Sequence, residues 1–243
     1  MTTGRIDVHS HLLPGVDDGC KTIGESIACA RELVAAGYTH AFCTPHVWPN
    51  YANVTKASVP GWTRALQEKL DEEGVPLKVM PGGEMNLHGG VKDLMDDYFI
   101  TYGMAERFVL TDMWAAELPA FFEPTIRFLQ SRGYTVILAH PERMRAVQDH
   151  PELADVFADM GMLLQGNLQC FGDPPESHTR RVAEDYLMEG RYFMLGSDTH
   201  NPQSMAIRMN GLRNAIELAG EEAIEKYKER INELKINCLR CID

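Results

Sequence analysis

Ile6-Asp7-Val8-His9-Ser10-His11 joins a short apolar strand to two imidazoles near the start of the chain. Residues i and i+2 of a strand point to the same face, so His9 and His11 can reach one ion together. The pattern then recurs. Further strands are predicted at Tyr38–Thr44, Leu77–Pro81, Phe108–Thr111 (extendable to Glu117), Tyr134–His140, Met162–Gly166 and Tyr192–Ser197. Between and after them, helices are predicted at Ile23–Ala36, Gly61–Glu73, Pro124–Arg132, Pro151–Met160, Glu176–Glu189, Gln203–Ala219 and Glu221–Lys235. In the first helix Ile27, Ala30, Leu33 and Val34 form an apolar stripe that Gly37 stops. The Tyr134–His140 strand is almost continuously apolar, as a strand covered on both faces should be. Seven strands alternating with helices predict an α/β fold with parallel strands.

In a parallel barrel every strand's C-terminal end opens on one face, and chemistry collects there. Six of the seven predicted strands end in His, Asp or Glu. His9 and His11 follow the first, His46 the second, Glu84 the third, Glu117 the fourth, His140 the fifth, and Asp198 and His200 the seventh. Asp17 and Asp18 lie in the loop after the first. Scattered surface polarity would not choose the same end each time. With Asp17, these residues give five histidines and four carboxylates, too many for one ion and suited to two or three with a bridging carboxylate. His40, His88, His150 and His178 lack that placement and are expected to be structural or solvated. Trp48, Tyr51 and Trp62 are expected to line a cleft or to pack a loop.

The 243 residues are expected to form one domain, 1–243. Hydrophobic residues at 44% and charged residues at 24% exclude a disordered or collagen-like chain. No apolar run reaches the roughly 18 residues of a membrane span, and Met1–Asp7 has no apolar signal core, so a cytoplasmic location without membrane insertion is expected. Thirty-five acidic against 23 basic residues give a net charge of −12, which argues against nucleic acid as a partner. A metal cluster would invert that charge locally and attract phosphate. None of the six cysteines is followed six positions later by Arg, which excludes the cysteine-loop phosphatase mechanism. The cysteines are expected to be free thiols, Cys238 and Cys241 included. No strand is followed by GxGxxG, so a dinucleotide fold has no support.

Six segments in order resemble the polymerase and histidinol phosphatase (PHP) superfamily, and within it the CpsB/YwqE-type bacterial protein-tyrosine phosphatases of capsule and exopolysaccharide synthesis. They are Ile6–His11 with Leu13–Gly19, then Thr44–His46, Pro81–Glu84, His140–Arg143 and Ser197–Asn201. The resemblance implies a distorted (β/α)7 barrel and three divalent ions, manganese by preference, with iron or zinc as alternatives. By motif, one ion takes His9, His11, Glu84 and Asp198. A second takes Asp17, His46 and His200. A third takes Glu84, Glu117 and His140. Arg143 and Arg208 are expected to hold phosphate oxygens, as a guanidinium does with two parallel hydrogen bonds, and Asp18 is a candidate general acid. The implied reaction is metal-dependent hydrolysis of phosphotyrosine on a bacterial tyrosine kinase. The alternative is histidinol phosphate or another small phosphate ester. A non-catalytic metal-stabilised module and a polysaccharide-assembly scaffold are the non-enzyme alternatives.

Overall fold

The computed structural model describes residues 4–94 and 96–236. Cys238 and Cys241 therefore lie outside the described residues. In chain order the elements are β1 (Arg5–Ser10), α1 (Ile23–Ala35), β2 (Tyr38–Cys43), β3 (His46–Val47), α2 (Val59–Glu72), β4 (Lys78–Pro81), β5 (Glu84–Asn86), β6 (Phe108–Asp112), α3 (Phe122–Ser131), β7 (Thr135–Ala139), α4 (Arg145–Asp149), α5 (Leu153–Asp159), β8 (Leu163–Asn167), α6 (Leu168–Gly172), α7 (His178–Met188), β9 (Met194–Gly196), α8 (Met205–Ala219) and α9 (Glu221–Ile236).

All strand pairs are parallel. One sheet runs β1-β2-β4 and the other β3-β5-β6-β7-β8-β9. The nine strands among the described residues occupy seven positions, because two are interrupted. β2 resumes as β3 past Pro45, which has no N–H to donate. β4 resumes as β5 past Gly82 and Gly83. At Gly83 a Cβ would stand 2.8 Å from Ile100 Cβ and 2.9 Å from Val47 Cγ2, so only glycine passes there. Thr44 N donates to Ser10 O and Glu84 N to Pro45 O, which carries the pairing across both breaks. The segments Pro45–Pro60 and Gly82–Gly90 thus contain β3 and β5.

At the far edge, Ser10 bridges Thr199 in parallel, with Asp198 N donating to His9 O (2.7 Å) and His11 N to Thr199 O (2.8 Å). A buried carboxylate holds the same seam. Asp7 accepts from Ser197 N (2.9 Å) and Ser197 Oγ (2.5 Å).

Helices cover the strands, and apolar burial supplies the driving force. α1 starts at Thr22, whose hydroxyl accepts from Glu25 N, and buries Ser26, Cys29, Ala30 and Leu33. The inward face is turned from the expected stripe, with Ile27 and Val34 half-buried. Cys20, Cys29, Cys43 and Cys170 are buried free thiols. Among the described residues no helix is long and apolar enough to cross a membrane.

Candidate active site

The C-terminal ends of β1, β7 and β9, and the breaks where β2 passes into β3 and β4 into β5, bring their side chains to one place. Glu84, the first residue of β5, is wholly buried at its centre. Its Oε2 lies 2.9 Å from His46 Nδ1, 3.2 Å from His9 Nε2 and 3.4 Å from His11 Nε2, while Oε1 lies 2.9 Å from His140 Nε2. Asp198 Oδ1 is 3.3 Å from His11 Nε2, 3.5 Å from His9 Nε2 and 3.4 Å from His200 Nδ1. Asp18 Oδ1 faces His46 Nε2 at 3.3 Å and His200 Nε2 at 3.6 Å.

The outer hydrogen bonds fix which ring nitrogens are free. His9 Nδ1 is held by Gln165 Oε1 (2.8 Å) and His11 Nδ1 by Asp17 Oδ2 (2.7 Å). His200 Nδ1 donates to the Asp198 carbonyl (2.9 Å). In the neutral tautomers these bonds select, the Nε2 lone pairs of His9 and His11 face one another at 3.2 Å, with Glu84 and Asp198 oxygens beside them. Glu84 Oε2 and His46 Nδ1 are buried and lack hydrogen-bond partners despite their proximity. Converging lone pairs without aligned protons between them match what a divalent cation requires. Three groups of side chains offer atoms mutually close enough to hold one ion: His9, His11 and Glu84; His11, Asp18, His46 and His200; and His46, Glu84 and Asp112.

The charge pattern follows from crowding. Burial opposes charging His46, but Asp18 and Glu84 outweigh it and raise its pKa to about 9. Burial likewise works against His9 and His11, and their carboxylate neighbours raise both. Burial would raise Glu84 and Asp198, yet the histidines hold both well below the usual carboxylate range. Asp112 lacks that surplus: burial, reinforced by the charge of Glu84, pushes it up to about 7.

Two residues of the cluster sit in left-handed backbone, His140 at φ 35° and Asp198 at φ 53°. Such conformations cost of order 1–3 kcal/mol for a non-glycine residue and cluster at functional sites. Arg208 supports the second. Its Nε donates to the Ser197 and Asp198 carbonyls, Nη2 to Asp198 O and Nη1 to Ser204 O. Each terminal nitrogen keeps one further N–H, and Arg208 lines the cavity. Asn167 Nδ2 (2.8 Å) and Arg143 Nη1 (2.9 Å) both donate to Asp198 Oδ2. The cavity above the cluster has a volume of about 370 Å³, and Trp48, Trp114, Arg143, Gln169 and Arg208 line it.

Three expectations are corrected here. Glu117 is exposed on the loop after β6, outside all three groups. The carboxylate that β6 delivers is its own last residue, Asp112. The strand ends there, and the chain beyond it leaves the cluster. Asp17 is buried beside the site, but its Oδ2 is taken by His11 Nδ1 and His46 N, and its Oδ1 by Gly19 N, so it orients His11 and belongs to none of the three groups. Asp18 takes the place expected for Asp17. Hydrogen bonding to His200 and then His46 holds its carboxyl far below the usual range, which favours an ion-facing role over a general acid's. Sequence reasoning missed Asp112, Gln165, Asn167 and Trp114. Asp112 had a signal, since it directly follows the predicted Phe108–Thr111 strand. The others are polar or aromatic residues whose type alone does not mark a site. His40, His88, His150 and His178 belong to none of the three groups.

Fold and site together define a parallel α/β protein with a candidate multi-metal centre at its strand ends. Residues 5–236 match the family described as capsular polysaccharide synthesis, CpsB/CapC, and the chain belongs to that family. It is 30% identical over 201 residues to the tyrosine-protein phosphatase YwqE of Bacillus subtilis, covering 81% of this chain and 77% of the relative. It is 24% identical over 225 residues to the putative tyrosine-protein phosphatase CapC of Staphylococcus aureus, covering 91% and 88%. One of the crystal structures of YwqE from Bacillus subtilis and CpsB from Streptococcus pneumoniae, described as unique metal-dependent tyrosine phosphatases, superposes with a TM-score of 0.86 at 25% identity, over 96% of this chain and 95% of that one. A histidinol phosphate phosphatase from Lactococcus lactis shares the fold at a TM-score of 0.54 and 15% identity, over 89% and 94%.

Proposed function

We propose that this chain is a metal-dependent protein-tyrosine phosphatase that hydrolyses phosphotyrosine on a bacterial tyrosine kinase controlling capsule or exopolysaccharide synthesis. The observation that carries the chemistry is the buried Glu84 carboxylate ringed by His9, His11, His46 and His140 beneath an arginine-lined cavity. The substrate class is carried over from the names of the relatives, YwqE first. The reading includes a single domain over 1–243, a cytoplasmic location and a distorted (β/α)7 barrel. The barrel is supported by the seven strand positions and the Ser10–Thr199 bridge between first and last.

Three divalent ions, manganese by preference, are assigned to these residues. His9, His11, Glu84 and Asp198 would hold one. Asp18, His46 and His200, with His11 beside them, would hold a second. Glu84, His140 and Asp112 would hold the third. Bound ions of this kind supply Lewis acidity toward phosphoryl charge and ionise water near neutral pH. The protein's own part is positional. Gln165 and Asp17 fix the tautomers of His9 and His11, so their free nitrogens point inward. Arg143 and the remaining N–H groups of Arg208 hold phosphate oxygens as charge spreads over them in the transition state. Arg208 is preset for that by the backbone carbonyls it grips. The tyrosine oxygen, with an ordinary pKa near 10, leaves without needing Asp18 as acid.

The test is phosphate release from a phosphotyrosine peptide, with phosphoserine peptide and histidinol phosphate beside it. The protein is stripped with chelator and manganese is then restored, with His9→Ala as control. Manganese-restored turnover selective for phosphotyrosine and absent from the variant is expected. Turnover of small esters alone would move the substrate to a small-molecule phosphate. Bound metal with no turnover on any of them would sink the enzyme reading.

A further inference from the structure

Trp114 is the most exposed aromatic side chain at the cavity, 55% accessible on the loop that follows β6. A tryptophan ring left that open has apolar area free to bury against an aromatic group. Its inner neighbours are already set. The Arg143 guanidinium lies 4.7 Å from its ring centroid, and the His140 ring lies 6.3 Å away. Arg143 is in turn fixed on Asp198 Oδ2. Trp114 thus stands directly beside the group that receives phosphate oxygens. Across the same cavity Trp48 packs on His46 with ring centroids 4.2 Å apart, and Tyr51 stacks parallel to His46 at 6.2 Å.

Resting on the phosphatase reading, we propose that Trp114 is the specificity-determining residue for the ester's leaving group: it stacks on the ring of an aryl phosphate and selects aryl over alkyl monoesters. With phosphate on Arg143, an ester's organic group begins one oxygen beyond phosphorus, alongside the neighbouring indole. An aromatic ring there gains offset-stacked contact with Trp114, whereas the methylene of an alkyl ester does not fill the same plane. The gain belongs to binding the aryl group in ground and transition state alike, so it acts on KM and leaves kcat nearly constant.

The experiment compares metal-restored wild type with Trp114→Ala and Trp114→Phe on one peptide carrying phosphotyrosine or phosphoserine. Direct binding of each peptide is measured by fluorescence anisotropy. The phosphotyrosine-to-phosphoserine ratio of kcat/KM is expected to fall roughly tenfold in Trp114→Ala, through KM, and to recover in Trp114→Phe. Phosphotyrosine binding should weaken by a similar factor. A ratio within twofold of wild type overturns the proposal, including the case where both activities fall together because Trp114 only props Arg143. If the wild type binds the phosphotyrosine peptide through Trp114 yet cleaves neither ester, the phosphatase reading fails and the aryl-selecting role stands. If it neither binds nor cleaves, both fail.

Discussion

Asp112 and Glu117 are five residues apart, and only one reaches the centre. The strand-end reading and the family motif both point to Glu117, but β6 ends at Asp112, wholly buried, with Oδ1 held by Asn86 and Oδ2 without a partner among the described residues. Replacing Asp112 by Ala is therefore expected to lower metal content by up to one ion per chain and phosphate release by about a hundredfold, within the range for losing a metal-site partner. Glu117→Ala should stay within about twofold. Elemental analysis and turnover on the same samples check both, and the opposite ranking would restore Glu117 to the site. Glu142 gives a second residue-scale prediction. It is fully buried, accepts from Asn167 N at 2.7 Å, and burial pushes its carboxyl up to about 7 from an ordinary 4.5. The folded state therefore holds this proton more tightly than the unfolded chain, so stability drops as pH rises from 4.5 toward 7 and levels off above. Two and a half units at 1.36 kcal/mol each amount to about 3 kcal/mol. Urea unfolding at pH 5 and pH 8 should show this loss in wild type, and Glu142→Gln should reduce it. Equal pH slopes in the two proteins would assign the titration elsewhere.

At the scale of elements, the long segments were legible and the short ones were not. The seven strand positions and seven longer helices follow from apolar periodicity, with shifts of at most two residues at their ends. β3 has two residues and β5 three, while α4 and α6 have five each, so none completes enough periods to register. Yet α6 matters, because it begins directly after Asn167, which holds Asp198. Its contact with α8 is set by glycine. A Cβ on Gly211 would lie 1.8 Å from Leu168 O and 2.8 Å from Leu168 C. Helix propensity alone favours Gly211→Ala by about 1 kcal/mol. The overlap with backbone that cannot rotate away dominates, since overpacking costs about 1–3 kcal/mol and more where nothing yields. A net destabilisation of about 2 kcal/mol is expected by urea unfolding. A neutral or stabilised variant would mean that α6 and α8 separate more easily than this packing implies.

For the molecule as a whole, a net charge of −12 coexists with a site built for a phosphate, and the metal centre is what reconciles them. The candidate ligands were legible in sequence because a parallel sheet collects its strand ends, whatever the order of residues between them. What holds those ligands was not legible, because Gln165, Asn167 and Asp7 act through partners more than 30 residues away. This division predicts how the protein behaves without metal. The ligand cluster is laid over a continuous apolar core that reaches every sheet strand, so chelation should leave a folded protein. The buried carboxylates then draw protons onto His9, His11 and His46, which offsets part of the lost attraction. Stability must still fall, because ions that bind only the folded chain add RT ln(1 + [L]/Kd), about 4 kcal/mol for one site at a thousandfold excess over Kd. For a chain of this size that corresponds to a drop in Tm of roughly 8–16 °C on chelation. Far-ultraviolet circular dichroism should remain native at 25 °C before and after metal removal, with the loss confined to Tm and recovered on adding manganese. Coincident melting curves would mean the cluster takes no metal. Loss of the native spectrum at 25 °C would mean that the ions hold the strand ends together and that the apolar core cannot do so alone.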